Sequence, residues 1–319
     1  MSNQKATEVL LEICGGCKEN EKILIVTDPT SQAIALELWA TAERFKNRSL
    51  IMMPETTMHG ENPTELVGAA MQEADVIFGC TKFSLFHAQA KKDAVRKGAR
   101  FVNMADYSPE MLISGGLYCD FIANGKICAH IAEALNGKKI CRITTPKGTD
   151  FVCSIEGRNS TPQYGRSLNP GESSSPPDIE CATCALEGTG DGIVYIDGSI
   201  PHPQLGLINE DIKLTIQAGV IKKIEGGEQA NILKSVLENF NDPNVYKVGE
   251  IGIGLNPNCS LSGRMLEDEG CSGTVHFGCG DNRGFGGLTQ SPFHLDLIFC
   301  EPTLTVDDVT VLKNGVVAL

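Results

Sequence analysis

The 319-residue chain lacks any apolar run of the ~18 residues that a membrane helix needs. It also lacks a basic excess: 27 Lys and Arg face 40 Asp and Glu, for a formal net charge of −13. Nucleic acids and anionic membrane surfaces are held by basic patches, so neither is expected as a partner. No G-x-G-x-x-G follows any strand-like segment, which leaves a dinucleotide without its phosphate-binding turn. No apolar h-region follows Met1–Lys5, so the expected location is the cytoplasm. Internal repeats are absent, and Ser173-Ser174-Ser175-Pro176-Pro177 is the one low-complexity stretch. What remains is an ordinary globular composition, and the acidic balance says nothing specific about substrate.

Cysteine, by contrast, is abundant at thirteen residues. In a cytoplasm these read as reduced thiols, most of them small core residues. Cys14-Gly15-Gly16-Cys17 and Cys181-Ala182-Thr183-Cys184 are C-x-x-C pairs that together could form a zinc site. They lie far apart in sequence, and Gly15-Gly16 reads as a helix stop, so coincidence in a Cys-rich chain is the preferred reading.

At roughly 100–200 residues per domain the length suggests two domains. Ile23–Val26, Ser49–Met53, Ala74–Gly79 and Gly98–Met104 are apolar runs of the kind found in buried parallel strands. Helical segments alternate with them: Ser31 to about Phe45, one opening at Pro63-Thr64-Glu65, His87 to Lys97, and one starting at Ser108-Pro109-Glu110. This alternation predicts a doubly wound parallel α/β domain over residues 1–138, closed by a helix around Ile127–Leu135. After residue 139 the pattern changes to alternating strands and hairpins, with one amphipathic helix at Gln229–Phe240 and a long polar loop at Asn159–Pro177. Residues 139–319 are therefore expected to form an α+β domain. The active site is expected in the cleft between the domains.

Chemistry concentrates between Gly249 and Asp296. Glu250, His276, His294 and Asp296 are residue types that bind Zn, Mn or Fe(II), and two His with one carboxylate are the facial set of non-haem Fe(II) enzymes. His294-Leu295-Asp296 lies in the apolar string F-H-L-D-L-I-F; on a strand, residues i and i+2 share a face and can reach one ion. Glu267-Asp268-Glu269 reads as a solvated charge run, or else as a carboxylate source just upstream of His276. His59, His130 and His202 carry no partnered motif.

The strings G-E-I-G-I-G-L-N-P (249–257), G-T-V-H-F-G-C-G-D-N (273–282) and P-F-H-L-D (292–296) resemble the C-terminal domain of one superfamily. Its members include metal-dependent leucyl aminopeptidases of the thermophilic type and Fe(II)-dependent 2,5-dihydroxypyridine 5,6-dioxygenases. Thr81-Lys82-Phe83-Ser84-Leu85-Phe86-His87 is most similar to the dioxygenase branch, and Asn169-Pro170-Gly171-Glu172 resembles the segment that supplies the aminopeptidases' first glutamate.

The dioxygenase resemblance implies ring opening of a small hydroxylated nitrogen heterocycle at one Fe(II), held by His276, His294 and Asp296. It further implies His87 as general base, a role that suits histidine's ordinary pKa of ~6.5. The aminopeptidase resemblance implies a hydrolase in which Glu172 and Glu250 join that triad around two Zn, Co or Mn ions. In this chain Asp281, Asn282 and Arg283 stand where the aminopeptidases carry a tyrosine, which favours the dioxygenase; Glu172 and Glu250 then bind substrate or orient a ligand histidine. A non-catalytic metal or small-ligand binding protein is the third reading. The superfamily also implies a homo-oligomer.

Overall fold

The computed structural model describes residues 3–319 and resolves into two compact units. One comprises Met1–Phe121 with Tyr164–Pro177; the other comprises Ile122–Gln163 with Asp178–Leu319.

The first unit is built on a five-stranded parallel sheet in the order Arg48–Met52, Ile23–Thr27, Val76–Cys80, Arg100–Asn103, Ser173–Ser174. Ile23–Thr27 and Val76–Cys80 are buried along their whole length, as continuous apolar runs require. Helices Gln32–Thr41, Glu65–Met71 and Gln89–Arg96 alternate with the strands. Leu24, Val26, Ile77 and Phe101 pack with Val67, Met71, Leu85 and Ala94 in one apolar cluster. The doubly wound pattern is thus present, with one addition. Part of the expected long loop, 164–177, belongs to this unit and supplies its short fifth strand, which pairs with Phe101 and Val102.

The helix expected to close the first domain, Phe121–Leu135, goes instead with the second unit from Ile122 onward. Its contacts explain this. The buried Cys128 thiol donates to the Glu180 carbonyl at 3.0 Å, and Ser160 Oγ donates to the Ala132 carbonyl at 3.0 Å. Packing therefore divides the chain near residue 121 rather than at 138.

The second unit holds two antiparallel sheets, of eight and seven strands. Strands of the larger one alternate buried and open residues, as in Ile140–Thr144 and Ile212–Gln217, so one of its faces meets solvent. Helix Glu228–Asn239 covers the hairpin 212–225 with Ala230, Leu233, Val236 and Leu237 buried. The smaller sheet is different. Glu180–Cys184, Val248–Gly254 and Thr274–Gly280 are buried on both faces. Phe151 of the larger sheet meets Phe277 of the smaller at 4.8 Å, and Phe277 meets Phe299 at 5.2 Å, which places the core between the sheets.

All thirteen cysteines are free, most of them buried. Cys14 and Cys17 belong to the first unit, Cys181 and Cys184 to the second. Among the described residues no helix is long and apolar enough to cross a membrane.

Candidate metal centre

Four neighbouring strands of the smaller sheet, Glu180–Cys184, Val248–Gly254, Thr274–Gly280 and His294–Cys300, form the site. Cross-strand partners in a sheet point to one face. The register Glu250↔Gly278↔Asp296, Gly252↔His276 and Gly280↔His294 therefore places Glu250, His276, His294 and Asp296 together. Glu180, opposite Gly254, joins the same face from the neighbouring strand. The intervening residues, Ile251, Ile253, Val275, Phe277, Leu295 and Leu297, point the other way into the core. One face is thus oil and the other is ligands.

Glycine makes the second face possible. A Cβ at Gly252 would overlap His276 Nε2. One at Gly278 would lie 2.6 Å from both Glu250 Oε2 and His294 Cε1. Neither glycine has positive φ, so it is space for the ligand side chains that both positions supply.

Two overlapping donor sets result. Glu180, Glu250 and His276 form one; Glu250, His294 and Asp296 form the other. His276 Nε2 lies 3.2 Å from Glu180 Oε2 and 3.7 Å from Glu250 Oε1. His294 Nε2 lies 3.0 Å from Glu250 Oε2 and 3.2 Å from Asp296 Oδ1. Each oxygen of Glu250 thus faces a different imidazole. The His276–His294–Asp296 triad is split between the two sets, and Glu250 links its parts.

His294 Nδ1 lies 2.8 Å from the Asp281 carbonyl. A carbonyl only accepts, so Nδ1 carries a proton and Nε2 is the ring nitrogen left facing the donor set, where an ion would replace its proton. His294 is the open member, at 33% side-chain exposure, while Glu180, Glu250, His276 and Asp296 are buried. Phe285 stacks on its ring at 5.9 Å.

The electrostatics call for a cation. Burial pushes Glu180 up, and burial with the charge of Glu180 pushes Asp178 well above the carboxylate range. Glu269 is raised well above that range by burial and then by Asp296. Burial raises Asp296 too, but the neighbouring His294 outweighs it and holds the carboxyl below its ordinary value. Burial lowers His276 and His294, yet the flanking carboxylates outweigh it and hold both well above the ordinary imidazole value. Buried Glu180 Oε2 and Asp296 Oδ1 receive no aligned hydrogen bond. Carboxylates crowded out of water in this way are normally paired or bound to metal. The mixed imidazole and carboxylate donors, the His294 Nε2 aimed inward and the glycine-lined space all fit a divalent ion.

Glu172 is not a member of either donor set. It lies in the first unit, where its carboxylate accepts from Leu168 N at 2.7 Å, Asn169 N at 2.9 Å and Asn169 Nδ2 at 2.7 Å. It closes its own turn, and the glutamate that joins the ligand set is Glu180. Glu180 is masked in the sequence by the Cys181-Ala182-Thr183-Cys184 pair that follows it, the more conspicuous metal pattern. The available signal was an acid opening an otherwise uncharged strand, E-C-A-T-C-A. Glu267-Asp268-Glu269 is not a solvated loop either. Asp268 is fully buried and accepts from Ser262 N at 2.7 Å and Gly263 N at 2.9 Å. His87 lies in the first unit, exposed, just ahead of helix Gln89–Arg96 and edge-on to Phe86 at 5.4 Å.

A sequence model of the 2,5-dihydroxypyridine 5,6-dioxygenase family matches residues 4–319. The chain belongs to this family. A curated 2,5-dihydroxypyridine 5,6-dioxygenase from Pseudomonas putida is 27% identical over 256 residues, covering 77% of this chain and 71% of that protein. Among solved structures, a 2,5-dihydroxypyridine dioxygenase from Pseudomonas putida KT2440 superposes with a TM-score of 0.84 at 22% identity, covering 100% of this chain and 98% of the other. Wild-type AmpT from Thermus thermophilus superposes with a TM-score of 0.69 at 13% identity, covering 99% of each. At those identities the two structures establish the fold. The family membership makes the chain one of the ring-cleaving dioxygenases, and the donor sets above lie within the matched span.

Proposed function

We propose that the chain opens the ring of a small hydroxylated nitrogen heterocycle of the dihydroxypyridine type, using Fe(II) and O2. The observation that carries this reading is the ligand face of the smaller sheet, inside a chain matched from end to end by the dioxygenase family. His276, His294 and Asp296 would hold the iron, with Glu250 between the imidazoles. An Fe(II) held by these residues would supply Lewis-acid and redox chemistry toward a chelating substrate and O2.

The chain's own residues then have separate tasks. The Asp281 carbonyl keeps the proton on His294 Nδ1, so Nε2 stays a donor. Glu180 and Glu250, both facing His276 Nε2, would offset the positive charge that a bound ion brings. Burial of four of the five ligand side chains excludes water from all but the His294 side, where Phe285 offers an aromatic wall to a planar ring. His87 is proposed as the base that takes a proton from a substrate hydroxyl or ring nitrogen.

A second reading is favoured by the sharing of Glu250. Two donor sets with one common carboxylate are what a pair of ions roughly 3.5–4 Å apart would use, as in a two-metal hydrolase. The deciding experiment is metal content and turnover of protein purified without oxygen. About one iron per chain, with O2 uptake on adding a dihydroxypyridine, is expected. Two Zn, Co or Mn per chain, with amide hydrolysis and no O2 uptake, would overturn the dioxygenase in favour of the hydrolase.

A further inference from the structure

Asn282 is buried at 2% exposure beside the centre, and no metal task explains it. Its side chain is saturated. Nδ2 donates to Glu187 Oε1 at 3.2 Å and to Cys184 Sγ at 3.4 Å, and Oδ1 accepts from Thr289 N at 2.8 Å. Its backbone is equally engaged. The carbonyl accepts from Phe285 N and Gly287 N, both at 3.0 Å, and the N–H donates to the Thr289 carbonyl at 3.2 Å. Glu187, held by Arg158, accepts from Leu288 N at 2.5 Å as well. The loop from Asp281 to Ser291 is therefore knotted around this one amide.

Two glycines exist for it. A Cβ at Gly249 would lie 2.5 Å from Asn282 Cβ, and one at Gly287 would overlap the Asn282 amide. Neither has a positive φ, so room for Asn282 explains them where backbone conformation does not. The residue before Asn282 is Asp281, whose carbonyl fixes the His294 ring, and Asp281 N is tied to the Phe293 carbonyl at 2.8 Å.

We propose that Asn282 is a positioning residue for the metal centre: it locks the 281–291 loop so that the Asp281 carbonyl holds His294 with Nε2 toward the metal. This rests on His294 being a ligand, as argued above. Groups that orient a metal-bound imidazole typically contribute 10–100-fold in affinity. Asn282→Asp keeps the acceptor for Thr289 N but sets a carboxylate oxygen against Glu187 Oε1 and Cys184 Sγ.

The test is a double-mutant cycle on anaerobic Fe(II) affinity, read by competition with a colorimetric chelator and accompanied by a thermal melt. Asn282→Asp is expected to weaken Fe(II) about 10–100-fold in the otherwise native protein, and less than about twofold in a His294→Ala background. Equal losses in both backgrounds would show a general structural effect and overturn the proposal. So would unchanged affinity in the first background while His294→Ala alone weakens binding, an outcome that leaves the ligand assignment standing. If His294→Ala does not weaken Fe(II) at all, the assignment and this inference fall together. Should Asn282→Asp not fold, Gly287→Ala pushes on the same amide from the other side, with the same outcomes expected.

Discussion

Gly252 shows how little chemistry a functional position needs. It carries no side chain, yet alanine there would occupy the place of His276 Nε2. Gly252→Ala is expected to lower Fe(II) affinity at least about 10-fold while the protein stays folded, checked by chelator competition beside circular dichroism. Glu172 is the opposite case, a carboxylate in a suggestive motif that serves its own turn. Glu172→Ala is expected to leave metal content unchanged and to cost about 1 kcal/mol of stability in urea unfolding, from the lost hydrogen bonds to Leu168 and Asn169. Loss of metal in that variant would return Glu172 to the centre. His294 and Asp296 were legible in sequence because they stand two apart on a strand. Glu180 was not, since its partners come from strands distant in the chain.

At the scale of elements, the parallel strands and their helices were readable because buried parallel strands are continuous apolar runs. The ligand strands were readable in part, because glycine marks positions where a second group comes close. Helix Gln89–Arg96 carries a buried exception, Lys91, at 7% exposure, whose Nζ sits 4.0 Å over the Phe86 ring and 5.6 Å from that of Phe101. Burial, with the charge of Lys92, lowers its pKa to about 8. The unfolded value is ~10.4, so between these values the unfolded chain binds more protons and stability rises with pH. The penalty of the buried ammonium is fully present below pH 8 and gone above ~10.4. Lys91→Met is expected to raise the melting temperature at pH 7 and to flatten the rise between about pH 8 and ~10.4, measured by melts across pH.

For the whole molecule, the second unit buries several carboxylates around two imidazoles. An ion that binds the folded state alone adds RT ln(1 + [L]/Kd), about 4 kcal/mol at 1,000 times Kd. Fe(II) added without oxygen is therefore expected to raise the unfolding temperature, and a chelator to lower it. An unchanged melt at saturating Fe(II) would count against the centre. Such a test needs no substrate.

Sequence alone determined the doubly wound half, the antiparallel half and the shared strand face of His294 and Asp296. Local apolar periodicity and the two-residue repeat of a strand encode each of these within a short window. Only the tertiary structure decided that Glu180 completes the face while Glu172 closes a turn, and that Asn282 anchors the loop behind His294. It also decided that the 122–135 helix packs with the second unit. Those outcomes depend on the register between strands far apart in the chain and on which side chains share a buried space, and neither is written in any local pattern.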